Sequence, residues 1–304
     1  MKLIKPSFEI LDQQCGLEGI YKQIEIAGRT CYKSEDKITE DSAKGFVDRM
    51  IKSGHGAMLE HGTVYLKVPT GKYSFLDVDY FDDCDDIKDS FYSNPYTRIH
   101  CQEGYYYITT NYRVLVENFS EEFISELLQY LCEPTEYHKK RICVRFICDR
   151  GVSHEFVRHR VFSFAQESTR YCNYSKDKFN SELTFIQPIW TYHQEDGDYG
   201  TLDTPKRKNV GNKDGTFFEF IKSLQYAEFY YFRLLKEGWK PQEARAVLPN
   251  ALKTELVMTG FVSDWEHFFK LRDAVSAHPQ AQELAHSLHE AFIQRGLKKK
   301  QERD

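Results

Sequence analysis

Hydrophobic positions along the chain switch between a spacing of two and a spacing near 3.6, and the switches mark its elements. In "HGTVYLKVP" (61–69), Val64, Leu66 and Val68 alternate with polar or amphipathic neighbours until Pro69, which predicts a strand. "YYYITTNYRVLVEN" (105–118), "RICVRFICD" (141–149) and "TELVMTGFV" (254–262) have β-branched and aromatic content and predict further strands. Helical spacing appears in "TEDSAKGFVDRMIKS" (39–53), where Thr39 is the candidate N-cap, Phe46, Val47, Met50 and Ile51 share a face, and Gly54 is the stop. A longer helix is expected over 216–237, with Phe217, Phe220, Ile221, Leu224, Ala227, Tyr231 and Leu235 near one stripe and Gly238 ending it. That helix is apolar on more than one side, which points to burial or an interface. Pro241 opens a short helix through Leu248, Ser263 with Glu266 matches a capping box, and Pro279 opens the last helix. "GVSHEFV" (151–157) reads as a short helix capped by Ser153.

Two stretches lack either period. Residues 76–100 are acidic, and 191–215 are rich in Gly, Asp, Asn and Lys; both are expected as loops inserted in one domain spanning 1–304. The acids of the first read as a solvated surface rather than a metal site. Strands interleaved with helices, some too close for parallel crossovers, predict an α/β (α+β) domain with a central mixed or antiparallel sheet flanked by helices. Neither GxGxxG nor GxxxxGK[ST] occurs, which argues against a dinucleotide-binding or P-loop domain.

Composition narrows the function classes. Hydrophobic residues make up 41% of 304, enough for a sizeable core, and the net charge of −5 excludes a global basic field for nucleic acid. Any anion site must be local. Eight cysteines without a CxxC pair argue against a disulfide framework or zinc site, and no metal is expected. His55 and His61, across a loop, do not make a metal pair. The N-terminus lacks a leader pattern and no window approaches about eighteen apolar residues, so the expectation is a soluble, cytoplasmic protein without a membrane partner.

The local anion site is "RHRVFSFAQESTRY" (158–171). Guanidinium groups grip phosphate bidentately and stay charged. Two arginines flanking a histidine, then Ser168 and Arg170, suit more than one phosphate, and the intervening "VFSFA" offers apolar surface to a flat base. The competing reading, arginines paired with the chain's own 46 acids, weighs about equally on these residues alone.

This stretch resembles the signature of the flavin-dependent thymidylate synthases, RHR followed after seven residues by serine and closed by Arg-Tyr: here Arg158-His159-Arg160, Ser168 and Arg170-Tyr171. Ser163 meets the longer form of that signature, whereas its Asn-Glu pair falls on Ala165 and Gln166, with Glu167 one place later. "GRTCY" (28–32), "SGHGAMLEH" (53–61), "EARAVLPNAL" (243–252) and "FFKLRD" (268–273) resemble family segments in the same order. The resemblance implies the thymidylate synthase-complementing fold and reductive methylation of dUMP to dTMP, using 5,10-methylenetetrahydrofolate, FAD and NADPH. It implies FAD contacts for Arg158, His159 and Arg160, with His55, Glu60, Gln166 and His267 as flavin neighbours. It implies dUMP contacts for Arg158, Ser168, Thr169, Arg170, Arg245 and Arg272. Arg272 matches the arginine that favours ionisation of uracil N3, which makes C5 more nucleophilic, and is the catalytic candidate. The family uses no protein nucleophile and forms homotetramers; the helix over 216–237 is the candidate interface. Phe261 and His267 stand where the family often has asparagines. Two other readings stay open: a homologue that binds flavin and nucleotide without turnover, and an RNA-binding protein that uses the RHR cluster on phosphates.

Overall fold

The computed structural model describes residues 1–73, 76, 94–204 and 215–297. The chain opens with strands β1 (Lys2–Ile4) and β2 (Ser7–Leu11), helix α1 (Gly16–Tyr32), then α2 (Ser42–Lys52) and the short α3 (Gly56–Leu59). Strands β3 (Thr63–Pro69), β4 (Arg98–Gln102) and β5 (Tyr105–Asn111) precede α4 (Tyr112–Asn118) and α5 (Glu121–Leu127). Next come β6 (Arg141–Asp149), α6 (Arg150–Phe156), β7 (Ser163–Gln166), β8 (Thr184–Ile186) and β9 (Gly197–Asp198). Helices α7 (Gly215–Lys236) and α8 (Pro241–Ala244), strand β10 (Lys253–Phe261), and helices α9 (Val262–Arg272) and α10 (Pro279–Gln294) complete the order.

The expected mixed α/β class is borne out, with the described strands divided among three sheets. The sheet that carries the RHR segment runs β2-β6-β10-β7 and is antiparallel throughout. Its faces follow the two-residue alternation. Val144, Phe146, Cys148, Leu256 and Met258 face α9 and α10, where Trp265, Phe268, Leu284, Leu288 and Phe292 are buried. Cys143, Val257 and Ala165 face the other way, onto Ala27 of α1. The β3-β5-β4 sheet packs Val64, Leu66 and Ile108 with Ile20, Ile24 and Phe46 of α1 and α2. The β8-β1-β9 sheet, parallel between β1 and β8, packs Leu3 and Phe185 with Phe217, Ile221, Leu224 and Tyr231 of α7.

Several boundaries differ from expectation because a different side chain wins the cap. Helix α2 is the exception: it starts at Ser42 rather than at Thr39 with no side-chain cap, and the Ser42 hydroxyl donates to buried Glu25 Oε2 (2.7 Å) and to Thr39 O (3.1 Å). The expected strand 105–118 ends at Asn111, whose side chain accepts from Val114 N (3.1 Å) and opens α4. Helix α6 is capped by Asp149, which accepts from Val152 N at 2.8 Å, while Ser153 donates back to Arg150 O. At α9 the Ser263 box is displaced by Asp264, which accepts from Phe261 N at 2.9 Å. Helix α7 keeps its predicted extent and its stop, with Gly238 at φ +96 in the region that favours glycine. Arg98–Gln102, at the end of the acidic stretch, pairs with β5, while 74, 75 and 77–93 of that stretch and 205–214 of the second lie outside the described residues.

Trp265 is the keystone of the helix layer. It is fully buried, packs on Phe162 at 4.6 Å between ring centroids, and donates from Nε1 to Ile142 O at 3.2 Å. Phe162 reaches it because Gly260 has no side chain: a Cβ there would stand 2.6 Å from the Phe162 ring. Trp265→Ala is expected to cost roughly 3–5 kcal/mol in urea unfolding. A loss under about 1 kcal/mol would show that other contacts hold the helices to the sheet.

Candidate functional site

The 158–171 segment turns from the C-terminal end of α6 into edge strand β7 and then across the end of α1. β7 is fixed by pairing with β10, Leu256 opposite Gln166 through Thr259 opposite Ser163. Ser168 N donates to Cys31 O at 3.0 Å, which ties the far end of the segment to α1. The residues expected to bind ligands fall into three groups.

At the first, Arg272 and His159 meet. His159 is 7% exposed, between Phe268 (5.1 Å between centroids) and His267 (6.1 Å). Arg272 donates from Nε to His159 Nε2 (3.0 Å), from Nη1 to Glu155 Oε2 (2.5 Å) and from Nη2 to Glu155 O (2.9 Å). The guanidinium thus lies at the C-terminal end of α6, where carbonyls attract cations. Because Nε2 accepts, the neutral ring carries its proton on Nδ1. Arg158 and Arg160, on either side, are exposed.

The second group joins Ser168, Thr169 and Arg170 to Arg245, which follows α8 and donates from Nη1 to Thr169 Oγ1 at 3.2 Å. Arg170 N donates to Ser168 Oγ at 3.3 Å, and its guanidinium lies 5.4 Å from the Tyr171 ring. The third group surrounds a cavity of about 400 Å³ lined by Cys31, Tyr32, Met50, His55, Met58 and Arg113 among others. Tyr32 links it to the second group by packing on Tyr171 at 5.2 Å. Glu60, 8% exposed, accepts from Arg113 at 2.6 Å.

No hydrogen bond or ion pair among the described residues joins the first group to the second. Gln166, expected beside the flavin, donates to Ser153 Oγ (2.9 Å) and Thr254 Oγ1 (3.3 Å), inside the α6–β7–β10 packing. Glu167 is 2% exposed and accepts from Tyr174 (2.8 Å) and Lys253 (2.9 Å). Lys253 also donates to Glu255, which Lys33 approaches at 2.8 Å. Those two lysines hold the Glu255 carboxyl down at about 2 against its burial. Phe261 is 3% exposed, with the Arg98 and Arg141 guanidinium groups 4.7 and 5.7 Å from its ring centre.

Sequence reasoning missed Glu155 and Arg141. Glu155 stands three residues before Arg158, one helical turn, and that spacing was the available signal. Arg141, first residue of β6, carried no motif.

The charge pattern is the feature with chemical content. Arg158, Arg160, Arg170 and Arg245 have no ion-pair partner among the described residues, although the chain holds 46 acids. Exposed guanidinium groups left free beside hydroxyls and tyrosines make a surface suited to phosphate-bearing ligands with flat rings. The chain matches the family described as "Thymidylate synthase complementing protein" over residues 103–295. It belongs to that family. It is similar to a flavin-dependent thymidylate synthase of Pyrococcus furiosus, 27% identical over 188 residues covering 62% of this chain and 68% of the relative. One of Geobacter sulfurreducens is 30% identical over 137 residues, 45% of this chain and 49% of the relative, so that match spans about half the relative's length. Among solved structures, a UMP/dUMP methylase PolB from Streptomyces cacaoi bound with 5-Br dUMP aligns with a TM-score of 0.42 at 17% identity, covering 97% of this chain and 93% of that one. No helix among the described residues is long and apolar enough to cross a membrane.

Burial, then Arg272 and His267, hold the His159 imidazole down at about 4. The unfolded chain takes up that proton near the ordinary value of about 6.5, so between those limits the unfolded state binds more protons and stability falls as pH drops. His61, buried beside Arg141 and held down at about 3, acts in the same direction. His159→Asn is expected to flatten the fall in urea midpoint between about pH 6.5 and 4. Parallel profiles for variant and wild type would mean that His159 takes up its proton freely in the folded chain.

Proposed function

We propose that this chain is a flavin-dependent thymidylate synthase, methylating dUMP at C5 with 5,10-methylenetetrahydrofolate as carbon donor and NADPH as reductant. The observation that carries the reading is the set of four arginines, Arg158, Arg160, Arg170 and Arg245, left without carboxylates around the RHR segment. Their charge and the neighbouring Tyr32 and Met58 fit a flat, phosphate-bearing cofactor such as FAD, held by Arg158, His159, Arg160, His55, Glu60 and His267. Bound there, FAD supplies the redox chemistry of the methylation. Gln166 supports that wall through Ser153 and Thr254.

Ser168, Thr169, Arg170 and Arg245 hold the dUMP phosphate through hydroxyls and guanidinium donors. Arg272 sits at the uracil edge. Three of its N–H contacts are committed to His159 and Glu155, which orients the group and leaves further donors for N3. A fixed cation at N3 stabilises the ring anion and raises electron density at C5. Glu155 and His159 are positioning residues for that cation. No hydrogen bond or ion pair among the described residues joins the two groups, and in this reading a complete site draws them from different copies of a cytoplasmic homotetramer with one domain, residues 1–304, per copy.

A homologue that binds both ligands without turnover is the second reading, favoured by Phe261 where the family often has a polar amide. Purified protein with dUMP, methylenetetrahydrofolate and NADPH is expected to be yellow and to form dTMP. NADPH oxidation without dTMP would favour the second reading, and colourless protein that shifts RNA would overturn both. Arg272→Ala is expected to keep its flavin and lose about a hundredfold or more in kcat, while Arg170→Ala raises KM for dUMP about tenfold. Mixing these two variants is expected to restore part of the activity. Full activity of Arg272→Ala would remove it from the chemistry, and failure of the mixture to recover would place both groups in one chain's site.

A further inference from the structure

A second cavity, of about 230 Å³, opens between the β2–α1 connection, the start of β3 and the start of β6, and no residue of the 158–171 segment lines it. Arg141 forms part of its wall and is 7% exposed. The guanidinium meets only neutral oxygens: Nη1 donates to Glu60 O (3.1 Å) and Thr63 Oγ1 (3.3 Å), and Nη2 to Ser163 Oγ (3.5 Å). Glu60's own carboxylate is taken by Arg113, and Asp264 caps α9, so both act on Arg141 only at longer range. A buried cation without a counter-ion is costly, and burial lowers the pKa of this arginine.

The other groups in the wall do not supply the missing charge. His61 is fully buried and neutral at pH 7, and burial pushes the Cys143 thiol up to about 11. Gln23 Nε2, His61 Nε2 and Arg141 Nε are buried with no hydrogen-bond partner. Lys140 adds a second, exposed cation without an ion pair, and Asp12, the one carboxylate among the described lining residues, is engaged by Arg295 at 2.7 Å. The rest of the wall mixes apolar side chains, Ile10, Ile20, Leu131 and Ile142 among them, with Gln13, Gln14 and Tyr65.

We propose that this cavity binds a small organic carboxylate, its anionic end paired with Arg141 and Lys140 and its apolar body against Ile10, Ile20, Leu131 and Ile142. A guanidinium accepts a carboxylate bidentately, and pairing removes the cost of the isolated buried charge. These apolar side chains select an anion with a hydrocarbon body over a bare ion.

Calorimetric titration of the full-length protein with benzoate, and with uncharged benzyl alcohol as the neutral control with the same ring, tests the site. Benzoate is expected to bind once per chain, at least about tenfold tighter than benzyl alcohol, with or without saturating dUMP and FAD. Lys140→Glu, which reverses the charge at an exposed position, is expected to weaken benzoate about tenfold, and Leu131→Trp, which fills the cavity, to abolish binding. Arg141→Gln is expected to lose binding if it folds; the other two variants decide the matter if it does not. Equal binding of benzyl alcohol, benzoate binding that survives both Lys140→Glu and Leu131→Trp, or displacement of benzoate by dUMP or FAD would overturn the proposal. dTMP formation measured on Lys140→Glu reads the synthase proposal separately, since Lys140 has no part in that site.

Discussion

The pairing of β6 with β10 is the constraint from which the remaining geometry follows. Its nine residue pairs run from Lys253 opposite Asp149 to Phe261 opposite Arg141, so each strand begins where the other ends. Helix α6 leaves from one end and α9 from the other. Both bury their aromatic faces in one cluster, Phe156 from the first and Trp265, Phe268 and Phe269 from the second. Antiparallel strands followed by helices on the same face bring the two helix ends toward each other. Arg272, last in α9, reaches Glu155 and His159 for this reason, although 113 residues separate it from His159 in sequence. β10 then pairs with β7 on its other side, which sets the segment that runs on to Ser168 and Arg170 in register with the same ladder.

Arginine is used in three distinct ways on this scaffold, and the differences are energetic. Arg272 is partly buried and held by a carboxylate, a carbonyl and an imidazole, so its position is fixed before any ligand arrives, with two N–H donors left over. Preorganisation of this kind puts the cost of ordering into folding rather than into the reaction. Arg158, Arg160, Arg170 and Arg245 are exposed, without an ion-pair partner among the described residues, and available to anions. Arg141 is buried and unpaired, the least favourable combination.

Much of the site was legible because its chemistry is local in sequence. Arg158, His159, Arg160, Ser168 and Arg170 lie within one short segment, and guanidinium chemistry needs no fold to be recognised. What the sequence hid was the company each residue keeps. Glu167 stands one place after the motif's glutamate position, and Lys253, 86 residues away, takes it into a buried network. Gln166 reads as a flavin neighbour, yet strand pairing aims its amide at Ser153 and Thr254. Caps were misread at Ser153 and Ser263 because an aspartate lay within a helical turn of each, and an ionised acceptor prevails over a hydroxyl at the positive end of a helix. Helix α1 has no counterpart among the expected elements, and it carries Gly16, Gly19 and Gly28. Close approaches explain two of them: a Cβ at Gly19 would meet Gln14 O, five residues back, at 1.9 Å, and one at Gly28 the Phe46 ring of α2 at 2.4 Å.

Phe261 connects the departures from the family pattern to the rest of the molecule. An apolar ring at the end of β10 cannot offer the amide that the family often has there, but it lies beside the Arg98 and Arg141 guanidinium groups. Ring faces attract cations more weakly than carboxylates do, so this contact softens the isolation of Arg141 without ending it. Arg98 belongs to β4, inside the stretch that reads from sequence as an inserted loop, and the β3-β5-β4 sheet carries it to the ladder's end. β4 therefore shapes the surroundings of the β10 terminus by bringing a second cation to the Phe261 ring. Phe261 and Arg98 are thus coupled through one contact, since the ring gives the guanidinium a π surface that a small polar amide at the same place would not offer.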